Sequence, residues 1–115
     1  MSFEHQTSVE QGVHLICLKG RIDSASAQSF EQAIQPLFSE PGSRVAMDFT
    51  QLDYISSAGL RVVLMAAKRA RQSAGHLMLC ALPPHVHEVF EISGFMRIID
   101  TQPSRTEALQ RLASV

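Results

Sequence analysis

Cysteine occurs only twice in this sequence, tryptophan not at all, and neither sign of charge is in excess. Cys17 and Cys80 both fall in apolar, strand-like runs, so they read as buried free thiols rather than as a disulfide framework. Ten Lys plus Arg stand against eleven Asp plus Glu, a formal charge of −1, and no basic tract is present. That balance gives no electrostatic basis for nucleic-acid binding. Long apolar runs are also missing. The stretch from Leu60 to Ala67 is interrupted by Arg61 and is far too short to cross a bilayer. The opening MSFEHQTSVEQG is polar and acidic, unlike a secretory signal, so the expectation is a cytoplasmic chain with no membrane insertion. Phosphate-cradling P-loop glycines and a G-x-S-x-G nucleophile elbow are absent. His85 and His87 lie two apart on an expected helix and diverge, which makes them a poor metal pair and places both on the surface. No metal, cofactor or catalytic activity is expected.

What is present is a globular composition: 45% apolar and 18% charged over 115 residues, enough for one domain spanning 1–115 around one core. Phe3 to Val9 suggests an edge strand, Gln11-Gly12 a turn, and Val13 to Leu18 a second strand. Asp23 or Ser24 is placed to cap a helix bearing Ala27, Phe30, Ile34, Leu37 and Phe38 at helical spacing, with Pro36 kinking or ending it. Val45 to Phe49 reads as a central buried strand, followed by a loop through Asp53 and Tyr54. The next helix opens at Ser56-Ser57, turns Leu60, Val63, Leu64, Ala67 and Ala70 to the core, and stops at Gly75. On that pattern Val62 and Met65 point away, beside Arg61 and Arg69, as surface residues or partner contacts.

His76 to Leu82 forms a further strand, parallel to the preceding one across a helical crossover. Pro83-Pro84 begins a helix with Val86, Val89 and Phe90, ended by Gly94. Arg97 to Asp100 is expected as a last edge strand. Ser104 and Glu107 have capping-box spacing for a final helix turning Ala108, Leu109 and Leu112 inward. The class is α/β, a mixed sheet of about five strands with about four helices.

The segment Tyr54-Ile55-Ser56-Ser57-Ala58-Gly59-Leu60 carries most of the chemistry. One of its two serines serves as a helix cap. The other sits where free amide hydrogens and the positive end of a helix dipole favour an attached phosphate. A phosphoserine there would add about −1.5 to −2 charges and repel an acidic or apolar partner surface.

Nearly the whole chain resembles the STAS domain family, of the anti-sigma-factor antagonist type. The resemblance rests on Leu18-Lys19-Gly20-Arg21-Ile22-Asp23, Val45-Ala46-Met47-Asp48-Phe49 and Leu52 to Leu60, and continues through Gly75 and Val86 to Gly94-Phe95. It implies a phosphate acceptor at Ser57, in a motif that family writes Asp-Ser-Ser/Thr-Gly-Leu, with Ala58 in the second hydroxyl position, Gly59-Leu60 following, and Ser56 where that family often has Asp. It implies two partners. One is an anti-sigma factor with a histidine-kinase-like ATPase fold, a serine kinase; the other is a metal-dependent serine phosphatase. The residues expected to meet a partner are Asp23, Ser24, Ser56, Ala58, Gly59, Leu60, Arg61, Val62 and Met65. The same family also supplies accessory subunits of membrane transporters, including lipid-transport ABC complexes, and signalling scaffolds, which remain the alternative.

Overall fold

The computed structural model describes residues 3–115. Strands β1 (Phe3–Glu10) and β2 (Val13–Ile22) form an antiparallel hairpin. Its turn uses Gln11 and Gly12, both at positive φ (54° and 78°), the backbone a tight two-residue hairpin demands. Then follow α1 (Ala27–Ile34), a 3₁₀ turn (Gln35–Phe38), β3 (Arg44–Ile55), α2 (Ser57–Gln72) and β4 (His76–Cys80). The chain continues through α3 (Pro84–Ile92), a second 3₁₀ turn (Phe95–Arg97), β5 (Asp100–Gln102) and α4 (Arg105–Ala113).

Sheet order follows chain order, β1-β2-β3-β4-β5, with every pairing after the hairpin parallel. Right-handed crossovers in one direction stack successive helices on a single face. Accordingly α1, α2 and α3 cover one side of the sheet. Phe30, Ile34, Val63, Ala66, Val86 and Phe90 meet there with Ile16, Leu18, Met47, Phe49 and Leu79. Phe90 packs edge-on against Phe49 with ring centroids 5.8 Å apart. The residues alternating with those strand positions, Val13, Leu15, Ala46 and Cys80, face the other way and are sealed by Ala108 and Leu112 of α4.

Departures from the expected elements have local causes. Pro36 ends α1, and the chain tightens into the 3₁₀ turn that buries Leu37 and Phe38. β3 does not stop at Phe49 but runs through Asp53 and Tyr54 to Ile55. β4 ends at Cys80 because Ala81 turns into the left-handed region (φ 56°). The last strand falls at Asp100–Gln102 instead of 97–100, because Gly94 (φ 78°) redirects the chain into the second 3₁₀ turn. α2 stops at Gln72, and the left-handed residue after it is Ala74 (φ 59°) rather than Gly75; Gly75 is needed for close approach instead, since a Cβ there would collide with the Ser43 carbonyl oxygen.

Cys17, Asp48 and Cys80 lie side by side across β2, β3 and β4. The two thiols are thus two strands apart, about 9–10 Å, beyond disulfide reach. Both are free, and burial pushes the Cys80 thiol up to about 12.

Candidate functional site

The carboxyl ends of β2 and β3 finish together, Ile22 opposite Ile55, at the edge where α/β sheets place their sites. The register slips twice on the way. Cys17 pairs with Asp48 but Lys19 with Gln51, and Gly20 with Leu52 but Arg21 with Tyr54, so β3 carries one extra residue at each step. Such bulges bend a strand and re-aim its side chains. At the first, the Thr50 amide is satisfied by the Asp48 carboxylate (2.9 Å).

Past Ile55 the chain turns into α2 through Ser56. Its amide donates to the Ile22 carbonyl (2.7 Å), tying the helix start to the end of β2. Ser56 is extended (φ −83°, ψ 171°), and its Oγ accepts from the Gly59 amide at 3.2 Å. Ser56 is therefore the cap. Ser57 is the first helical residue; it is exposed, and its hydroxyl has no hydrogen-bond partner among the described residues.

Gly59 sets how closely α2 approaches the sheet. A Cβ there would lie 2.7 Å from Ile22 Cγ2 and 2.8 Å from Ile55 Cγ1. Gly59→Ala should therefore overpack this corner by about 2 kcal/mol, offset by about 1 kcal/mol of improved helix propensity. A net loss of about 1 kcal/mol in urea unfolding is expected, and a stabilised variant would contradict the packing described.

Around this corner stand Arg21, Asp23, Tyr54 and His85. The Arg21 guanidinium stacks on the Tyr54 ring, 4.4 Å from its centroid. His85, exposed at the start of α3, donates from Nε2 to the Asp53 carbonyl (2.6 Å). Asp23 accepts from the Ser26 amide (3.0 Å), while the Ser26 hydroxyl accepts from the Asp23 amide (2.9 Å). The Ser26 amide, then its hydroxyl, hold the Asp23 carboxyl below the usual carboxylate range. Asp23 thus ties a turn just ahead of α1. The residue preceding that helix is Ser26, not Asp23 or Ser24, because the chain makes this extra turn before Ala27.

The expected partner residues divide by burial. Ser24, Ser57, Arg61 and Met65 are exposed; Asp23, Ser56 and Ala58 are half-buried. Gly59 and Leu60 are buried and fix the helix in place. Val62 corrects the expected pattern: it is only 6% exposed, packed in the cleft where Ile34 and Phe38 meet Ala66. Met65, at 52%, does face outward. Arg21, Tyr54, Ser26 and His85 were not among the expected site residues. Ser26 is local to Asp23 and Tyr54 to Ser57; the pairing of β2 with β3 brings Arg21 to the corner, and the contact of β3 with the start of α3 brings His85.

Among the described residues no group of three His, Cys, Asp or Glu side chains could hold a metal ion. No helix among them is long and apolar enough to cross a membrane. The geometry suits a surface that binds a macromolecule and carries a modifiable hydroxyl.

Comparison with known proteins agrees with this architecture. The STAS domain family matches residues 4–108, and the chain belongs to that family. Within it the chain is of the anti-sigma factor antagonist type. It is 50% identical over 97 residues to the Bordetella bronchiseptica protein named anti-sigma factor antagonist BtrV, covering 84% of each chain. Two solved structures share the fold. An anti-sigma factor antagonist from Mycobacterium paratuberculosis superposes with a TM-score of 0.88 at 20% identity, covering 96% of this chain and 94% of that one. The antagonist SpoIIAA in its unphosphorylated form gives 0.78 at 23%, covering 99% and 98%; the Bacillus protein is also solved in a phosphorylated form.

Proposed function

We propose that this chain is a phosphorylation-switched anti-sigma factor antagonist, a cytoplasmic binding module and kinase substrate rather than a catalyst. Unphosphorylated, it captures an anti-sigma factor with a histidine-kinase-like ATPase fold and so frees a sigma factor. That partner phosphorylates Ser57 and is released, and a metal-dependent serine phosphatase resets the chain.

The observation that carries the reading is the division of labour between adjacent serines. Ser56 occupies the cap, and Ser57 is left exposed and unbonded at the first position of a sixteen-residue helix. A phosphate there gains from the helix dipole and adds about two negative charges to the contact surface. The similarity to BtrV supports the antagonist role.

Affinity capture from native lysate with wild type, Ser57→Ala and Ser57→Asp, read by mass spectrometry with phosphosite mapping, tests it. Wild type and Ser57→Ala should recover a kinase-like ATPase, Ser57→Asp at least about tenfold less, and phosphate should map to Ser57. Equal recovery of a transporter ATPase by all three, with Ser57 unmodified, would replace this reading with a transport-accessory role.

A further inference from the structure

The exposed stripe of α2 runs Ser57, Arg61, Met65, Lys68, at successive helical turns. The helix carries four cations, Arg61, Lys68, Arg69 and Arg71, and no Asp or Glu. Its first cation after Ser57 is Arg61. Among the described residues the Arg61 guanidinium makes no hydrogen bond or ion pair, although it is exposed beside the site. Arg69, Arg97 and Arg111 are likewise without a side-chain partner among the described residues, but none of them lies one helical turn from Ser57, and the remaining arginines are engaged. Arg21 lies over Tyr54, Arg71 donates to the Ile98 carbonyl, Arg44 to the end of α4, and Arg105 holds Asp48.

We propose that Arg61 is the built-in counter-ion of a phosphate on Ser57, a regulatory pairing that rests on the phospho-switch reading above. Residues four apart share a helix face with Cβ atoms about 6 Å apart, and an acidic group N-terminal to the basic one is the favourable order. Helical side chains lean back toward the N-terminus, so Arg61 lies over the turn that holds Ser57. The guanidinium fork matches two phosphate oxygens, which a lysine's single ammonium does not.

The rest of the corner carries both signs of charge. Asp23, in the turn after β2, and Asp53, near the end of β3, are the acidic residues at the ends of the two strands that finish at the start of α2. Arg21, Tyr54 and His85 are the other ionisable groups there, the guanidinium already stacked on the tyrosine ring and the histidine already donating to the Asp53 carbonyl. Phosphorylation therefore alters the partner-facing stripe twice over. It adds negative charge at position 57, and it draws the Arg61 guanidinium back from the stripe it shares with Met65 and Lys68.

The test uses the full chain with phosphoserine installed at position 57 during synthesis, titrated by phosphorus NMR, with Arg61, Arg61→Gln or Arg61→Lys. A nearby cation favours the dianion and lowers the second ionisation of the phosphate. That ionisation should lie about 0.3 pH unit lower with Arg61 than with Arg61→Gln, with Arg61→Lys between them. The difference should shrink in about 1 M salt. Because Arg61 is exposed, the unmodified variants are expected to keep the wild-type amide spectrum. Identical ionisations in the three proteins overturn the inference. The titration involves no partner, so its failure and that of the switch separate. A flat titration with Ser57-dependent capture removes Arg61 and keeps the switch; the shift without capture does the reverse.

Discussion

Leu112→Ala is expected to destabilise the chain by about 3 kcal/mol, read as a lower urea midpoint at unchanged slope. Leu112 is fully buried in the smaller of two cores, against Val13, Leu15, Ala46, Cys80 and Ala108. Those neighbours are strand residues fixed in register or already small, so little can move to fill the space. α4 is a nine-residue helix and the only one packed over that core. It has few other attachments: the Arg105 contacts at its start, and Arg44 donating to the Leu112 and Ala113 carbonyls at its end. Amide exchange in α4 and along the facing side of β3 should accelerate most, while the Ser57 corner, on a separate core, should keep its partner affinity in the folded fraction. A loss below about 1 kcal/mol would mean that α4 does not seal this face.

Arg105→Ala carries the second large effect, about 2 kcal/mol at neutral pH. Asp48 is only 3% exposed and is the one buried charged side chain among the described residues. Arg105 reaches it with two nitrogens, Nε at 2.9 Å and NH2 at 2.8 Å, and NH2 also donates to Cys17 Sγ. Thr50 supplies a hydroxyl bond (2.6 Å) and an amide bond. Burial by itself raises the Asp48 carboxyl; the Thr50 and Arg105 bonds outweigh it and hold the carboxyl below its ordinary value. A buried pair broken on one side costs about 3–5 kcal/mol, an exposed pair at most about 1. Arg105 is half-exposed, at 48%, which places this case between them.

The pH dependence follows from the direction of that shift. A depressed folded-state value stabilises the native chain fully above the unfolded carboxylate range, near pH 4, and the contribution is lost as pH falls through the folded value. The gap between wild type and Arg105→Ala should therefore be largest at pH 7 and narrow toward pH 3. A gap of constant size would assign the loss to the packing of the arginine stem instead.

How far the sequence could be read depended on how many neighbours an element has. The order of strands and helices, the Gln11-Gly12 turn, the Ser104 cap and the inward faces of α1 and α3 are local patterns, and each was legible. The face of α2 was legible only in part. A single stripe of Leu60, Val63, Leu64, Ala67 and Ala70 supposes one packing partner, the sheet. In the fold α1 packs along its flank as well, so Val62 and Ala66 are buried while Leu64 and Ala67 are only half-buried. Ser57 could be singled out as the serine left free by the cap, because two serines at a helix start exceed what one cap requires. Arg21 and Tyr54 could not, since they meet only after two register slips between strands more than thirty residues apart. Asp48 was visible in a buried strand, but nothing local pointed to Arg105, 57 residues further on.

A sheet whose strands pair in the order they are made has a consequence for how the protein comes into being. Each new strand meets its neighbour already in place, and the start of α2 that carries Ser57 is held once α2 has formed on β2 and β3, before His85 of α3 joins the corner. The opposite surface waits. Leu15, Ala46 and Cys80 stay uncovered until the chain has been extended from β4 to Leu112, an interval on the order of seconds at ribosomal speed. During that interval the nascent chain presents Ser57 at a formed helix start while its other side is an open apolar strip. The interval ends when α4 docks and Ala108 and Leu112 close over that strip.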